Sequence, residues 1–322
     1  MSNKQKILVG GGSGYVGAVL CPLLNKDYDI TIVDNLWFGN NLPNNIKVIN
    51  ADLKDLKKND YIGYDQVIFL GGVSNDPMAE FSPIMNFIEN TAVPTNCAFL
   101  AKQAGVKRFI FASTCSVYGY TLDQVFTEED PTTCAYPYGL SKIQAEKGLM
   151  QLQDDDFSVI CIRKGTVCGY GPRVRFDLVI NTMFKFAMTT GKITVSNPNL
   201  NRPILSIQDA AQGYLKAVQS DFSVSGIFNI ASENYSLLEL GMGVKNKIEE
   251  LSGKEIELKV NNVPDMRNYL VSIDKAKSIL GFNPKSNVED IVSDLYAHIN
   301  EYGDYENDKF YNIKTFKKLK FC

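Results

Sequence analysis

The stretch Lys6-Ile7-Leu8-Val9-Gly10-Gly11-Gly12-Ser13-Gly14-Tyr15-Val16-Gly17 decides how this chain is read. Its first residues form a short apolar run of the kind that makes a buried strand, and the glycines after it mark a tight turn into a helix. The spacing Gly11-x-x-Gly14-x-x-Gly17 permits a sharp turn, a close approach of the main chain to a diphosphate, and packing of the helix on the strand. The first turn of such a helix points unpaired N–H groups at an anion. Glycine-rich turns are common, so the weight of this one lies in its position at a strand-to-helix junction.

Working outward, a second strand over 29–33 ends beside Asp34. An acid placed about twenty residues after the glycines hydrogen-bonds the ribose hydroxyls of an adenosine and repels a 2′-phosphate. Residues 35–40 contain no Arg or Lys to hold such a phosphate. The expected cofactor is therefore NAD rather than NADP, held by Gly11, Gly14, Tyr15, Val16, Gly17, Asp34 and Asn35.

The same alternation of short apolar runs and helical stretches continues through the first half, the pattern of βαβ units. Strands are predicted over 6–10, 29–33, 46–50, 66–70, 108–112 and 158–163, and helices notably over 15–24, 82–104 and 138–153. Right-handed crossovers between such strands give an α/β fold with a Rossmann-type, doubly wound parallel sheet. After Gly171 the texture changes to longer polar loops, including 196–203. The expected division is a cofactor domain over 1–170 and a smaller C-terminal substrate lobe over 171–322, with a strand at 226–231 returning to the first.

Composition narrows the function. The chain has 322 residues, 45% of them hydrophobic and 21% charged, enough for a sizeable core. Its net charge of −3 gives no general attraction to nucleic acid or anionic lipid, and favours a small-molecule partner. Seven scattered cysteines without a C-x-x-C pair argue against a disulfide framework or zinc site. The single histidine, His298, lies in a predicted surface helix and makes a Ser-His-Asp triad or a multi-His metal centre untenable. With no signal peptide or membrane-spanning run evident, the expected compartment is the cytoplasm.

Tyr138-Gly139-Leu140-Ser141-Lys142 sets a phenol and an ammonium one helical turn apart on one face. The positive charge favours the phenolate, which can then take or return a hydroxyl proton near neutral pH. Upstream, Ser113-Thr114-Cys115-Ser116-Val117-Tyr118-Gly119 follows a predicted buried strand and supplies hydroxyls. Tyr-x-x-x-Lys alone is common; its specificity comes from this order and context.

Together these motifs resemble those of the extended short-chain dehydrogenase/reductases, specifically the NAD-dependent nucleotide-sugar epimerase/dehydratase family. The resemblance makes Thr114, Tyr138 and Lys142 catalytic, with Lys142 also holding the nicotinamide ribose. It adds Asp52, Leu53, Gly71, Gly72 and Asn90 to the cofactor set, and Cys115, Ser116, Asn181, Arg202 and Arg267 to the substrate set, the substrate being a nucleotide-diphosphate sugar. It also implies a homodimer built on helices 82–104 and 138–153.

Within that family, sugar 4,6-dehydratases carry an Asp-Glu pair directly after the catalytic Thr, where this chain has Cys115-Ser116. Dehydration is therefore disfavoured. The preferred expectation is epimerisation through transient oxidation of one sugar hydroxyl, like that of a UDP-glucose 4-epimerase. The alternatives are a nucleotide-sugar dehydrogenase or ketosugar reductase and, from another class, a cofactor-binding protein without catalysis.

Overall fold

The structure is a computed structural model that describes residues 4–119, 124–262 and 268–319. Its strands are β1 (Lys6–Gly10), β2 (Asp29–Asp34), β3 (Lys47–Asn50), β4 (Gln66–Phe69), β5 (Arg108–Thr114), β6 (Val125–Phe126), β7 (Ser158–Lys164), β8 (Thr166–Cys168), β9 (Lys192–Ser196), β10 (Asn201–Ser206), β11 (Gly226–Ile230), β12 (Glu233–Ser236), β13 (Glu257–Asn261) and β14 (Leu270–Val271). The α-helices are α1 (Gly17–Asp27), α2 (Asp76–Phe81), α3 (Pro83–Phe87), α4 (Val93–Gln103), α5 (Pro137–Met150), α6 (Val179–Thr190), α7 (Ile207–Gln219), α8 (Leu237–Ser252), α9 (Val288–Ala297), α10 (Ile299–Tyr302) and α11 (Asn312–Lys318).

Seven strands form one parallel sheet in the order β11-β7-β5-β4-β1-β2-β3. Because side chains alternate across a strand, β1 serves two layers at once. Ile7 and Val9 pack with Leu20 and Leu24 of α1 and Tyr214 of α7, whereas Leu8 packs with Val93 and Ala98 of α4 and Leu149 of α5. Helices thus cover both faces, the Rossmann-type doubly wound arrangement. The strand order reverses between β1 and β4, and the crevice beyond their carboxyl ends is where such sheets bind ligands.

The single helix expected over 82–104 is divided. α3 passes through a π-helical turn, Ile88–Ala92, into α4. Pro94 sits at the start of α4 and has no N–H to donate backwards, so the helical ladder shifts register there. The short helix α2 was not foreseen.

The return at 226–231 is seen as β11, beside β7, and α7 packs against α1 on the large sheet. Most of the later elements pack apart from the large sheet. β12-β10-β8 and β13-β9 form two small sheets, and a second apolar cluster joins α6, α8 and α9. Within 196–203, expected as loop, Asn201, Arg202 and Pro203 belong to β10. Among the described residues no helix is long and apolar enough to cross a membrane.

Candidate active site

The glycine loop is shaped by lack of space. Gly11 has φ +73°, and a Cβ on it would lie 2.6 Å from the Gly71 nitrogen; one on Gly17 would lie 2.3 Å from the Gly12 oxygen. Neither clash can be relieved by turning a flexible side chain. Gly17 opens α1, so the N-terminus of that helix faces the crevice as an anion site requires.

At the end of β2, Asp34 is fixed by two main-chain donors, Ser13 N at 2.9 Å and Leu36 N at 2.8 Å. Burial nevertheless raises its pKa above the usual carboxylate value, against the pull of those two N–H groups. Asn35 Oδ1 accepts from Trp37 N at 3.3 Å within the loop that follows.

A cavity of about 610 Å³ runs from this loop to the lobe. Its walls include Gly11, Gly14, Tyr15, Val16, Gly17, Gly71 and Gly72 at one end, and Thr114, Ser116, Tyr138 and Lys142 in the middle. Toward the lobe they include Arg175, Asp177, Arg202 and Tyr269. β5 delivers Thr114 at its carboxyl end, and α5 delivers Tyr138 and Lys142 from its first turns.

Lys142 is buried and donates to the Ala112 carbonyl at 3.0 Å. Burial, then the neighbouring Lys164, holds its pKa well below the ordinary lysine value. Burial raises the Tyr138 phenol, and the Asp76 carboxylate adds to that; the Arg175 charge and a hydrogen bond with Thr114 oppose it. Of the nearby charges, Arg175 pulls the Tyr138 phenol down and Asp76 pushes it up. Thr114 Oγ1 lies 3.1 Å from Ser116 Oγ, which lies 3.2 Å from the Tyr269 hydroxyl. The cavity thus holds a run of hydroxyls from Tyr138 to Tyr269.

Several expected residues stand elsewhere. Cys115 is fully buried between Thr114 and Ser116 and donates to the Arg163 carbonyl at 3.2 Å, so it does not line the cavity. Where the resemblance implied a side chain facing the substrate, the chain past β5 turns this one into the core. Asn181 is also fully buried. Its carboxamide holds Gly169 N at 2.9 Å, the Arg175 carbonyl at 2.8 Å and the Gly169 carbonyl at 3.1 Å, which shapes the turn carrying Arg173 and Arg175.

On the cofactor side, Asn90 donates to the Val73 carbonyl at 2.9 Å and supports the Gly71–Gly72 loop. Leu53 fills the space that a Cβ on Gly10 or Gly71 would need, and Asp52 caps the turn Leu53–Asp55 and pairs with Lys54 at 2.8 Å. Arg267 lies outside the described residues. Arg202 lies over the Tyr269 ring at 5.6 Å and lines the cavity.

Asp76, Arg173, Arg175 and Tyr269 also reach the cavity wall. Asp76 follows Asn75, whose φ of +89° is a conformation that non-glycine residues adopt only when the surroundings impose it. The turn 169–173 resembles the family's Tyr-Gly-Pro turn and so offers Arg173 and Arg175 as ligand contacts, but no local pattern joins them with Asp76 and Tyr269, which meet them only through the fold. The single histidine is remote from the chemistry, stacked on Tyr170 at 3.5 Å.

A doubly wound parallel sheet with a phosphate loop at its switch point, opening on a hydroxyl–phenol–ammonium set, defines a dinucleotide-dependent α/β enzyme. The chain belongs to the NAD dependent epimerase/dehydratase family, which it matches over residues 7–231. It is an enzyme whose family cofactor is NAD. The chain is 27% identical to a UDP-glucose 4-epimerase of Bacillus subtilis (strain 168), over 93% of this chain and 99% of that enzyme. It is also 27% identical to UDP-glucuronic acid decarboxylase 6 of Arabidopsis thaliana, over 88% and 85% respectively. In fold it is similar to UDP-glucuronic acid 4-epimerase from Bacillus cereus, solved with UDP-glucuronic acid and NAD. The TM-score is 0.80 and the identity 23%, over 92% of this chain and 99% of that one.

Proposed function

We propose that this chain is a nucleotide-sugar epimerase that inverts one carbinol carbon of a UDP-sugar by transient oxidation to the ketone and reduction from the opposite face. The observation that carries this is one cavity walled by both the glycine loop and the set Thr114, Tyr138 and Lys142, with Ser116 where a dehydratase carries an acid. The names of the curated relatives support a UDP-sugar as substrate.

The residues fit the cofactor: Gly11 and Gly17 leave no room for side chains, the α1 N-terminus supplies anion-binding N–H groups, and Asp34 is fixed for a ribose. NAD supplies the hydride acceptor when bound. Lys142 would hold the nicotinamide ribose, and Asp34 the adenosine ribose. Tyr138 takes the proton of the sugar hydroxyl as it is oxidised and returns it on reduction. Thr114 shares that proton and keeps the sugar oxygen within reach of the phenol. Arg202 and Arg267 would pair with the substrate's diphosphate, because a planar guanidinium matches phosphate oxygens in bidentate fashion. Asn181 acts through the turn it braces. A homodimer would form through α4 and α5, where Phe99 and Leu140 stand exposed, and sedimentation of the purified protein checks this.

The deciding experiment supplies UDP-glucose and related UDP-sugars without added cofactor and follows products by NMR and mass spectrometry. An epimer of unchanged mass, formed with no net NADH, is expected. NADH formed in proportion to product would assign a dehydrogenase instead, and loss of water a dehydratase.

A further inference from the structure

The C-terminal helix α11 closes against the cofactor end of the cavity. Phe316 is buried, meets Trp37 edge-on with ring centroids 5.4 Å apart, and shares an apolar cluster with Val73 and Met78. Trp37 belongs to the loop that follows Asp34, and Val73 to the loop that follows Gly72. α11 is thus pinned to both loops flanking the cofactor site. At its start Asn312 is itself part of the cavity wall. Its Nδ2 donates to Ser74 Oγ at 2.7 Å, and its Oδ1 accepts from Arg173 Nη2.

Arg173 is the reason this contact matters. It is only 5% exposed, its guanidinium lies 3.9 Å from the Phe38 ring centroid, and Asn312 is its one side-chain hydrogen-bond partner among the described residues. Its Nε has no hydrogen-bond partner among the described residues. The neighbouring Arg175 is paired in bidentate fashion with Asp177 at 2.9 and 2.8 Å, so that carboxylate is already engaged. Burial, and then Arg175, lower the Arg173 pKa to about 9, against the opposing pull of the Asp177 carboxylate, which is itself hydrogen-bonded to Arg175. A buried charge of this kind is stabilised by an anion, and the glycine loop on the same cavity shows which anion the site is shaped for.

We propose that α11 is a clasp on the cofactor, with Asn312 the positioning residue that holds Arg173 for a diphosphate and Phe316 the pin that keeps the helix shut. The proposal rests on NAD as the cofactor and not on which sugar reaction follows. A chain that shows the clasp but no epimerase activity would overturn only the reading above. A clasped cofactor dissociates slowly.

The test titrates cofactor-free wild type, Asn312→Asp and Phe316→Ala with NAD, and separately with UDP, by calorimetry, and measures NAD release by stopped flow. Asn312→Asp gives Arg173 an internal counter-charge. It should raise the Kd for NAD roughly tenfold or more while leaving the apoprotein Tm equal or higher, a pattern a merely structural role would not produce. Phe316→Ala should speed NAD release, with UDP affinity unchanged in both variants. Wild-type NAD affinity in Asn312→Asp, or unchanged NAD release in a folded Phe316→Ala, overturns the proposal. So does a loss of UDP affinity in place of NAD affinity, which would give Arg173 to the substrate's diphosphate.

Discussion

Lys142 and Ala112 are joined by a 3.0 Å hydrogen bond from the ammonium to the main-chain carbonyl, which ties α5 to the carboxyl end of β5. This bond sets where Tyr138, one turn earlier on α5, presents its phenol to the cavity. Tyr138→Phe removes the proton-carrying oxygen and leaves that tie and the ring in place. Turnover should fall by ~10²–10⁴-fold while NAD binding persists. Steady-state kinetics beside an NAD titration check it, and near wild-type turnover would remove the phenol from the mechanism.

Asp76 raises the Tyr138 pKa and Arg175 lowers it, and both line the cavity. Because the phenolate is the form that accepts a proton, removing the carboxylate should move the rising limb of kcat/KM to lower pH. Asp76→Asn should therefore shift the profile down, and Arg175→Gln should shift it up. A pH–rate profile that stays in place in both variants would mean that this field does not reach the reacting phenol.

Asp34 is held by Ser13 N and Leu36 N with its carboxylate fixed beside the glycine loop, where a 2′-phosphate would meet an immobile negative charge. NAD should bind more tightly than NADP. Asp34→Ala should narrow the gap by removing the repulsion and the ribose hydrogen bonds together. Parallel titrations with both cofactors measure this, and equal affinity in the wild type would contradict the role of Asp34.

Behind the site, Glu146 pairs with Arg163 through contacts of 3.0 Å to Nε and 2.7 Å to Nη2, with both side chains at most 4% exposed. Glu146 also accepts from Ser113, whose carbonyl holds Lys164. Glu146→Ala strands the Arg163 charge in the interior and should cost about 3–5 kcal/mol of stability. Denaturant unfolding reads this directly; a loss below about 1 kcal/mol would place the pair among those worth no more than a surface ion pair.

The large sheet was legible because its signals are local. Strands predicted at 6–10 and 66–70 appear as β1 (Lys6–Gly10) and β4 (Gln66–Phe69), each an apolar run bounded by turn residues. The division of the long helix at Ile88–Ala92 did not follow from the sequence, since a single π turn inserts too few residues to interrupt a helical pattern read over twenty. Thr114, Tyr138 and Lys142 line one cavity, but Cys115 and Ser116, adjacent in sequence and alike in polarity, separate into core and cavity.

The βαβ frame, the glycine loop with Asp34 and the helical spacing of Tyr138 and Lys142 are written locally along the chain. Each is fixed by backbone geometry within a few residues. Packing alone brings distant residues into the cavity with them: Asp76 from the start of α2, Arg173 and Arg175 from the turn braced by Asn181, Tyr269 from beside β14, and Asn312 from α11. Arg173 and Asn312 are 139 positions apart, and Asn312 and Ser74 are 238 apart. Contacts of that range follow from how two lobes and a terminal helix pack around one crevice. No spacing of residue types along a chain encodes such a meeting, because burial and a buried cation's need for an anion arise only once the layers have closed.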